Sequence, residues 1–108
     1  MPRAPTTSDP FNAIAEPRRR EILEFLAGDE RSVGEIVAAL QLAQPSVSKH
    51  LTVLREVGLV TVRREGKHML YRANPESLRT IHEWSGMFAK YWQSQLERIK
   101  THAEKKKP

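Results

Sequence analysis

Residues 32–72, SVGEIVAALQLAQPSVSKHLTVLREVGLVTVRREGKHMLYR, admit few folds, because apolar spacing of helical period gives way without a linker to strict alternation. Ser32 followed by Glu35 forms a capping box, and Val33, Ile36, Val37 and Leu40 then recur along one helical face. After Gln41 and Leu42 the helical pattern resumes. Pro45 suits the first turn of a second helix, and Val47, Leu51 and Leu54 mark its buried side. Gly58 fits the position past that helix's C-cap, where the left-handed conformation is common. Val60 and Val62 then alternate with Thr61 and Arg63, Glu65 and Gly66 supply a two-residue turn, and Met69 and Tyr71 resume the alternation. That turn sets Val62 opposite Met69 and Val60 opposite Tyr71.

Two short helices, a tight turn and a basic hairpin in this order are the layout of a winged helix-turn-helix, mainly α with a small β-hairpin wing. Such a fold lays its second helix in a DNA major groove and its hairpin on the flanking backbone. The second helix carries Gln44, Ser46, Ser48, Lys49 and His50 off its apolar side, short or hydrogen-bonding groups suited to base edges and phosphates. The hairpin tip displays Arg63, Arg64, Lys67 and His68, as phosphate or minor-groove contact requires. The formal charge of the chain is +5, and residues 43–73 hold six basic residues against two acidic ones. The excess is therefore concentrated on the expected DNA face, and it is this segregation, not the total, that points to nucleic acid. A winged helix used only for protein association would not need Lys49, Arg63, Arg64 and Lys67 on one side.

Upstream, Phe11, Ile14 and Ala15 form a short apolar face, Glu16 and Pro17 restart the chain, and Ile22, Leu23 and Leu26 follow until Gly28 stops the second helix. Arg18, Arg19 and Arg20 point about 100° apart on a helix, so one is free to reach a partner and the others are expected to be solvated. Residues 1–10 read as a disordered arm and residues 101–108 as a charged tail, leaving a single domain over residues 11–100.

The last helix starts at about residue 75, with Asn74 as cap and Pro75 in first position. Leu78, Ile81, Phe88, Trp92, Leu96 and Ile99 follow at spacings of 3, 7, 4, 4 and 3, with Trp84 and Tyr91 beside them. So broad a stripe exceeds what one side of a small domain buries. Pairing with a second copy through these residues and Phe11 covers it, so the fold is expected to dimerise through its terminal helices. Gly86 interrupts the stripe and predicts a bend or a close helix crossing.

Other function classes find little support. The chain has no cysteine, which excludes thiolate metal sites and thiol redox switching. His82 and Glu83 diverge on a helix, and His102 lies ~30 Å from His82 along it, so with Glu97 they offer no ligand set within one chain. No metal or cofactor is expected. Ser46 and His50 stand four apart but lack an orienting acid or an oxyanion site, and no glycine-rich phosphate loop occurs, so the protein is not expected to be an enzyme. No segment reaches the roughly 18 apolar residues of a membrane span, and MPRAPTTSDP lacks the apolar core of a secretory signal, so a cytoplasmic location without membrane contact is expected.

In FNAIAEPRRREILEFL, QPSVSKHLTVLREVGLV and VRREGKHMLYR, in that order and spacing, the chain resembles the ArsR/SmtB-type winged-helix repressors of bacteria and archaea. The resemblance spans residues 11–100. It implies a homodimeric repressor that binds a short pseudo-palindromic operator in double-stranded DNA, commonly at its own promoter. Gln44, Ser46, Ser48, Lys49 and His50 match the family's recognition-helix readers, and Arg63, Arg64, Lys67 and His68 its wing. Two positions depart from the family pattern. Gln41 stands where glycine is common and Ala43 where a serine would cap the recognition helix, each costing ~1 kcal/mol of local stability.

Overall fold

In the computed structural model, which describes residues 9–105, α1 (Pro10–Ala13) is capped by Asp9, whose Oδ1 accepts the Phe11 amide at 2.9 Å. The expected disordered arm of residues 1–10 is therefore corrected at its end, because a carboxylate before Pro10 is a ready helix start; residues 1–8 lie outside the described residues. Glu16 caps α2 (Pro17–Phe25) by accepting the Arg18 amide at 2.8 Å. Ile22, Leu23 and Leu26 are buried as their spacing predicts, although α2 ends before Gly28. The arginine triplet behaves differently from expectation. Arg18 pairs with Glu21 at 3.0 Å, Arg19 Nε donates to the Ala13 carbonyl at 2.5 Å, and Arg20 Nη1 donates to the Ile14 carbonyl at 2.7 Å. A one-turn helix leaves its last carbonyls without intrahelical partners, and two arginines fill that need.

A two-residue strand that the sequence does not announce, β1 (Arg31–Ser32), leads into α3 (Val33–Leu40). The capping box is present in full: the Glu35 amide donates to Ser32 Oγ at 3.2 Å, and the Ser32 amide to Glu35 Oε1 at 2.9 Å. The turn that follows places Gln41 at φ 54° and ψ 45°, a left-handed conformation that Cβ resists. Ala43, extended at φ −67° and ψ 143°, precedes α4 (Gln44–Glu56) and offers no side-chain cap. Val47, Leu51 and Leu54 are buried as expected. The far end of α4 closes with a Schellman motif: the Gly58 amide donates to the Arg55 carbonyl at 3.0 Å and the Leu59 amide to the Leu54 carbonyl at 2.9 Å. Gly58 takes φ 79°, and Leu54 and Leu59 are both fully buried beside this closure.

The wing consists of β2 (Val60–Glu65) and β3 (His68–Ala73), and β1 pairs with β3, giving an antiparallel sheet of order β1-β3-β2. The register differs from the expected one. Gly66 and Lys67, not Glu65 and Gly66, form the turn; Val62 faces Tyr71, Val60 faces Ala73 and Glu65 faces His68. A hairpin turn with glycine in first position needs a positive φ only there, and Gly66 supplies it at 60°, whereas the expected turn demanded it of Glu65. The pairing moves by two residues, so each side chain keeps its face.

The chain divides into two compact units, one ending at Leu78 and the other beginning at Arg79. The first contains Ile22, Leu26, Ile36, Val47, Leu51, Leu54 and Leu59, all fully buried, with no polar side chain among the buried ones described. Each such aliphatic side chain contributes about 1.5–3 kcal/mol by leaving water. The expected single last helix is two, α5 (Pro75–Gly86) and α6 (Ala89–Lys105), broken at Met87 and Phe88, immediately after the glycine that disfavours helix. Helix also continues to Lys105, past the boundary at 100 where a tail was expected; residues 106–108 lie outside the described residues. Within the second unit the Trp84 and Phe88 rings meet edge to face, 5.3 Å apart. No helix among the described residues is long and apolar enough to cross a membrane.

Candidate nucleic-acid interface

The buried stripe of α4 fixes what its other side presents. With Val47, Leu51 and Leu54 turned inward, Gln44, Ser48 and Lys49 are exposed, together with Thr52, which lies one turn beyond Lys49 and donates its hydroxyl to the Ser48 carbonyl at 3.0 Å. Thr52 is absent from the residues expected from sequence, although its spacing of three from Lys49 announces it. Amide, hydroxyl and ammonium groups are thus displayed from a helix whose opposite side is anchored in the core, the disposition a major groove reader needs.

Ser46 and His50 stand apart from this face. Both are half-buried on the flank of α4. His50 Nδ1 is buried with no hydrogen-bond partner, and the imidazole is held below its ordinary value by burial first, then by Arg19, with Lys49 and Arg18 adding to it and Glu16 opposing. At 100° per residue, the position between exposed Lys49 and buried Leu51 falls on the boundary of the exposed face, which is why spacing alone leaves His50 among the expected readers.

The wing also sorts its cations. Alternation along β2 puts Arg64 on the face of Val60 and Val62, beyond their buried part, while Arg63 and Glu65 take the other face. Arg64, Lys67 and His68 are exposed, and Arg64 Nε bends back to the Gly66 carbonyl at 3.2 Å. Arg63 is engaged instead: its Nε and Nη2 donate to the two Glu30 oxygens at 2.6 and 2.7 Å, and Nη2 also lies 2.7 Å from Glu65 Oε2. The Glu30 carboxyl is held below the usual carboxylate range chiefly by its hydrogen bond from Arg63, and the guanidinium is correspondingly raised by Glu30 and Glu65. Arg63 and Arg64 are thus both exposed as expected, but on opposite faces of the hairpin, with Arg63 held by two acids. Glu30 carried no local signal, because its partner is 33 residues away.

Among the described residues no three His, Cys, Asp or Glu side chains gather as a metal site would require. His82 and His102, considered for that role, fall on α5 and α6.

A family model described as bacterial regulatory protein, arsR family, matches residues 16–62, from the cap of α2 into the wing. The transcriptional repressor SdpR of Bacillus subtilis is 32% identical over 74 residues, which cover 68% of this chain and 82% of SdpR. An ArsR-like transcriptional regulator from Rhodococcus sp. RHA1 superposes with a TM-score of 0.68 at 28% identity, covering 90% of this chain and 89% of that one. A homodimeric winged helix-turn-helix DNA-binding domain from Mycobacterium bovis, solved in solution and described as a possible ArsR-family regulator, gives a TM-score of 0.63 at 32% identity over 74% of this chain and 75% of its own.

Proposed function

The chain belongs to the arsR family of bacterial regulatory proteins and is a DNA-binding transcription regulator, not an enzyme; we propose that it acts as a homodimeric repressor on a pseudo-palindromic operator. The observation that carries this reading is the exposed face of α4, where Gln44, Ser48, Lys49 and Thr52 stand opposite a fully buried stripe. Gln44, Ser48 and Lys49 read base edges, Ser46 touches the groove wall from the flank, and Arg64, Lys67 and His68 of the wing hold phosphates. A second copy pairs through α5 and α6, where Trp84, Tyr91, Trp92, Leu96 and Ile99 are 53–65% exposed, with Phe88 and the half-buried Phe11, Leu78 and Ile81 completing the contact. Apolar side chains of this size left in water favour a partner, and the homodimeric neighbour supports the same choice. Two recognition helices then enter successive major grooves about one helical turn apart, and the bound dimer occludes polymerase. With no cysteine in the chain, any inducer acts without thiolate ligation. We place the protein in the cytoplasm, where such a promoter lies.

The test is selection of duplexes from a random-sequence pool, followed by titration of the winning sequence at several salt concentrations. A two-fold symmetric consensus supports the reading. Lys49→Ala is expected to cost about 1–3 kcal/mol on that duplex and less on a scrambled one, whereas Arg64→Ala weakens both. Recovery of no consensus, with equal losses for both variants, would sink it.

A further inference from the structure

Arg63 occupies the middle of β2, the strand of the sheet farthest from β1, yet its guanidinium meets a carboxylate that lies just before β1. The side chain therefore reaches across β3. Ser32 pairs with Leu70, and Leu70 with Arg63, so a single row of residues runs across all three strands beneath this reach. The contact with Glu30 is a fork meeting a fork: two parallel N–H···O bonds, 2.6 and 2.7 Å long, which fix orientation as well as distance. Glu65 holds the same guanidinium from the tip side at 2.7 Å. One cation between two carboxylates gives the Arg63, Glu30 and Glu65 cluster a charge of −1, and Arg72, which shares the face and also acts on Glu30, brings the four together to zero. A phosphate arriving there would find the Arg63 donors already engaged and would have to displace both acids. On the opposite face of the hairpin Arg64 has no such acidic partner among the described residues, its Nε donating to the Gly66 backbone carbonyl.

We propose that Arg63 is a positioning residue and not a DNA contact, the Glu30–Arg63 pair bracing the wing across its three strands so that Arg64 and Lys67 meet phosphates at a fixed height. This rests on the reading of the wing as a phosphate-binding element. A hairpin held in its bound geometry before DNA arrives loses less freedom on binding, and that is how a solvent-exposed pair, weak in its own right, comes to matter for affinity. The segment between α2 and β1 thereby becomes part of the DNA-binding apparatus without touching DNA.

The experiment compares wild type with Glu30→Gln, Arg63→Gln, the double variant and Arg64→Gln on the selected duplex over a range of salt, and follows amide exchange in β2 and β3 without DNA. The pair predicts that Glu30→Gln and Arg63→Gln each weaken binding by about threefold to tenfold, with the double variant no worse than either single one. Both also speed exchange in the hairpin. Arg64→Gln lowers the salt slope by about 0.9 while Arg63→Gln changes it by less than half as much. Removing an acid ordinarily helps a protein hold DNA, so tighter binding by Glu30→Gln would mean that Glu30 competes with phosphate for Arg63, and the proposal fails. Unchanged hairpin exchange in both variants overturns the brace while leaving the DNA reading intact. Loss of salt-dependent binding by wild type itself overturns the DNA reading, and the positioning role with it.

Discussion

The side-chain amide of Asn74 donates to the Gly58 carbonyl at 2.9 Å, while its backbone amide donates to the Leu59 carbonyl at 2.8 Å. One residue at the exit of the wing thus satisfies the two carbonyls at the turn leaving the recognition helix. Its Oδ1 also accepts the Glu76 amide at 3.3 Å at the start of α5. Asn74→Ala leaves the Gly58 carbonyl and the helix start unserved and is expected to lower unfolding free energy by about 1–2 kcal/mol. Asn74→Asp keeps the acceptor for Glu76 but loses the donor to Gly58, and should fall between the two. Urea denaturation followed by circular dichroism measures both, and equal stability of all three proteins would contradict the assignment.

Gln41 sits at a positive φ, where a Cβ is strained, and its side chain makes no described hydrogen bond that would compensate. Gln41→Gly is expected to raise stability by about 1 kcal/mol, strain relief outweighing the added freedom of the unfolded chain. Two residues on, Ala43→Ser supplies the missing cap to α4 and should add about 0.5–1 kcal/mol. Both changes should also slow amide exchange at Ser46 and Val47. A destabilised Gln41→Gly protein would show that the turn is not strained.

His50 predicts a pH dependence with a definite sign. Burial and the arginines of α2 hold its folded value below 6.5, so between that folded value and 6.5 the unfolded chain binds more protons than the folded one. Stability is therefore complete above pH 6.5 and declines as pH falls through and below it. Glutamine in place of His50 does not titrate. The loss of unfolding free energy about one pH unit below the ordinary imidazole value should be smaller in His50→Gln than in wild type. Identical pH profiles would assign the acid sensitivity to other groups.

Trp92 is 53% exposed on α6, on one face with Leu96 and Ile99 and one turn beyond Phe88, which precedes the helix. Trp92→Glu places a charge in the contact proposed between copies and is expected to cost at least about 2 kcal/mol of association. Light scattering at micromolar concentration should find wild type at twice the chain mass and the variant at one. A variant that remains dimeric would move the contact elsewhere on the chain.

Where a sequence signal is local, the structure follows it: the capping box of Ser32 and Glu35, the buried triad of α4 and the left-handed Gly58 all depend on residues within a turn of each other. Three features were hidden because they depend on distance or on choice between near-equal options. The hairpin turn is decided by which residue bears the positive φ, and glycine takes it, moving the turn by one residue. β1 is too short to show a period and exists only because β3 has a free edge. Arg63 reads as one more exposed cation until Glu30 is brought to it across the sheet. The break after Gly86 was visible as a weak point but not as the end of a helix.

The chain's two tryptophans are Trp84 and Trp92, both exposed and both beyond residue 78. The unit that carries the recognition helix and wing therefore has no indole. Tryptophan emission arises wholly from α5 and α6 and responds when water is removed from them, whereas the first unit emits only through Tyr71. A blue shift on raising concentration would report assembly, giving the molecule a built-in optical gauge of whether it has found its second copy.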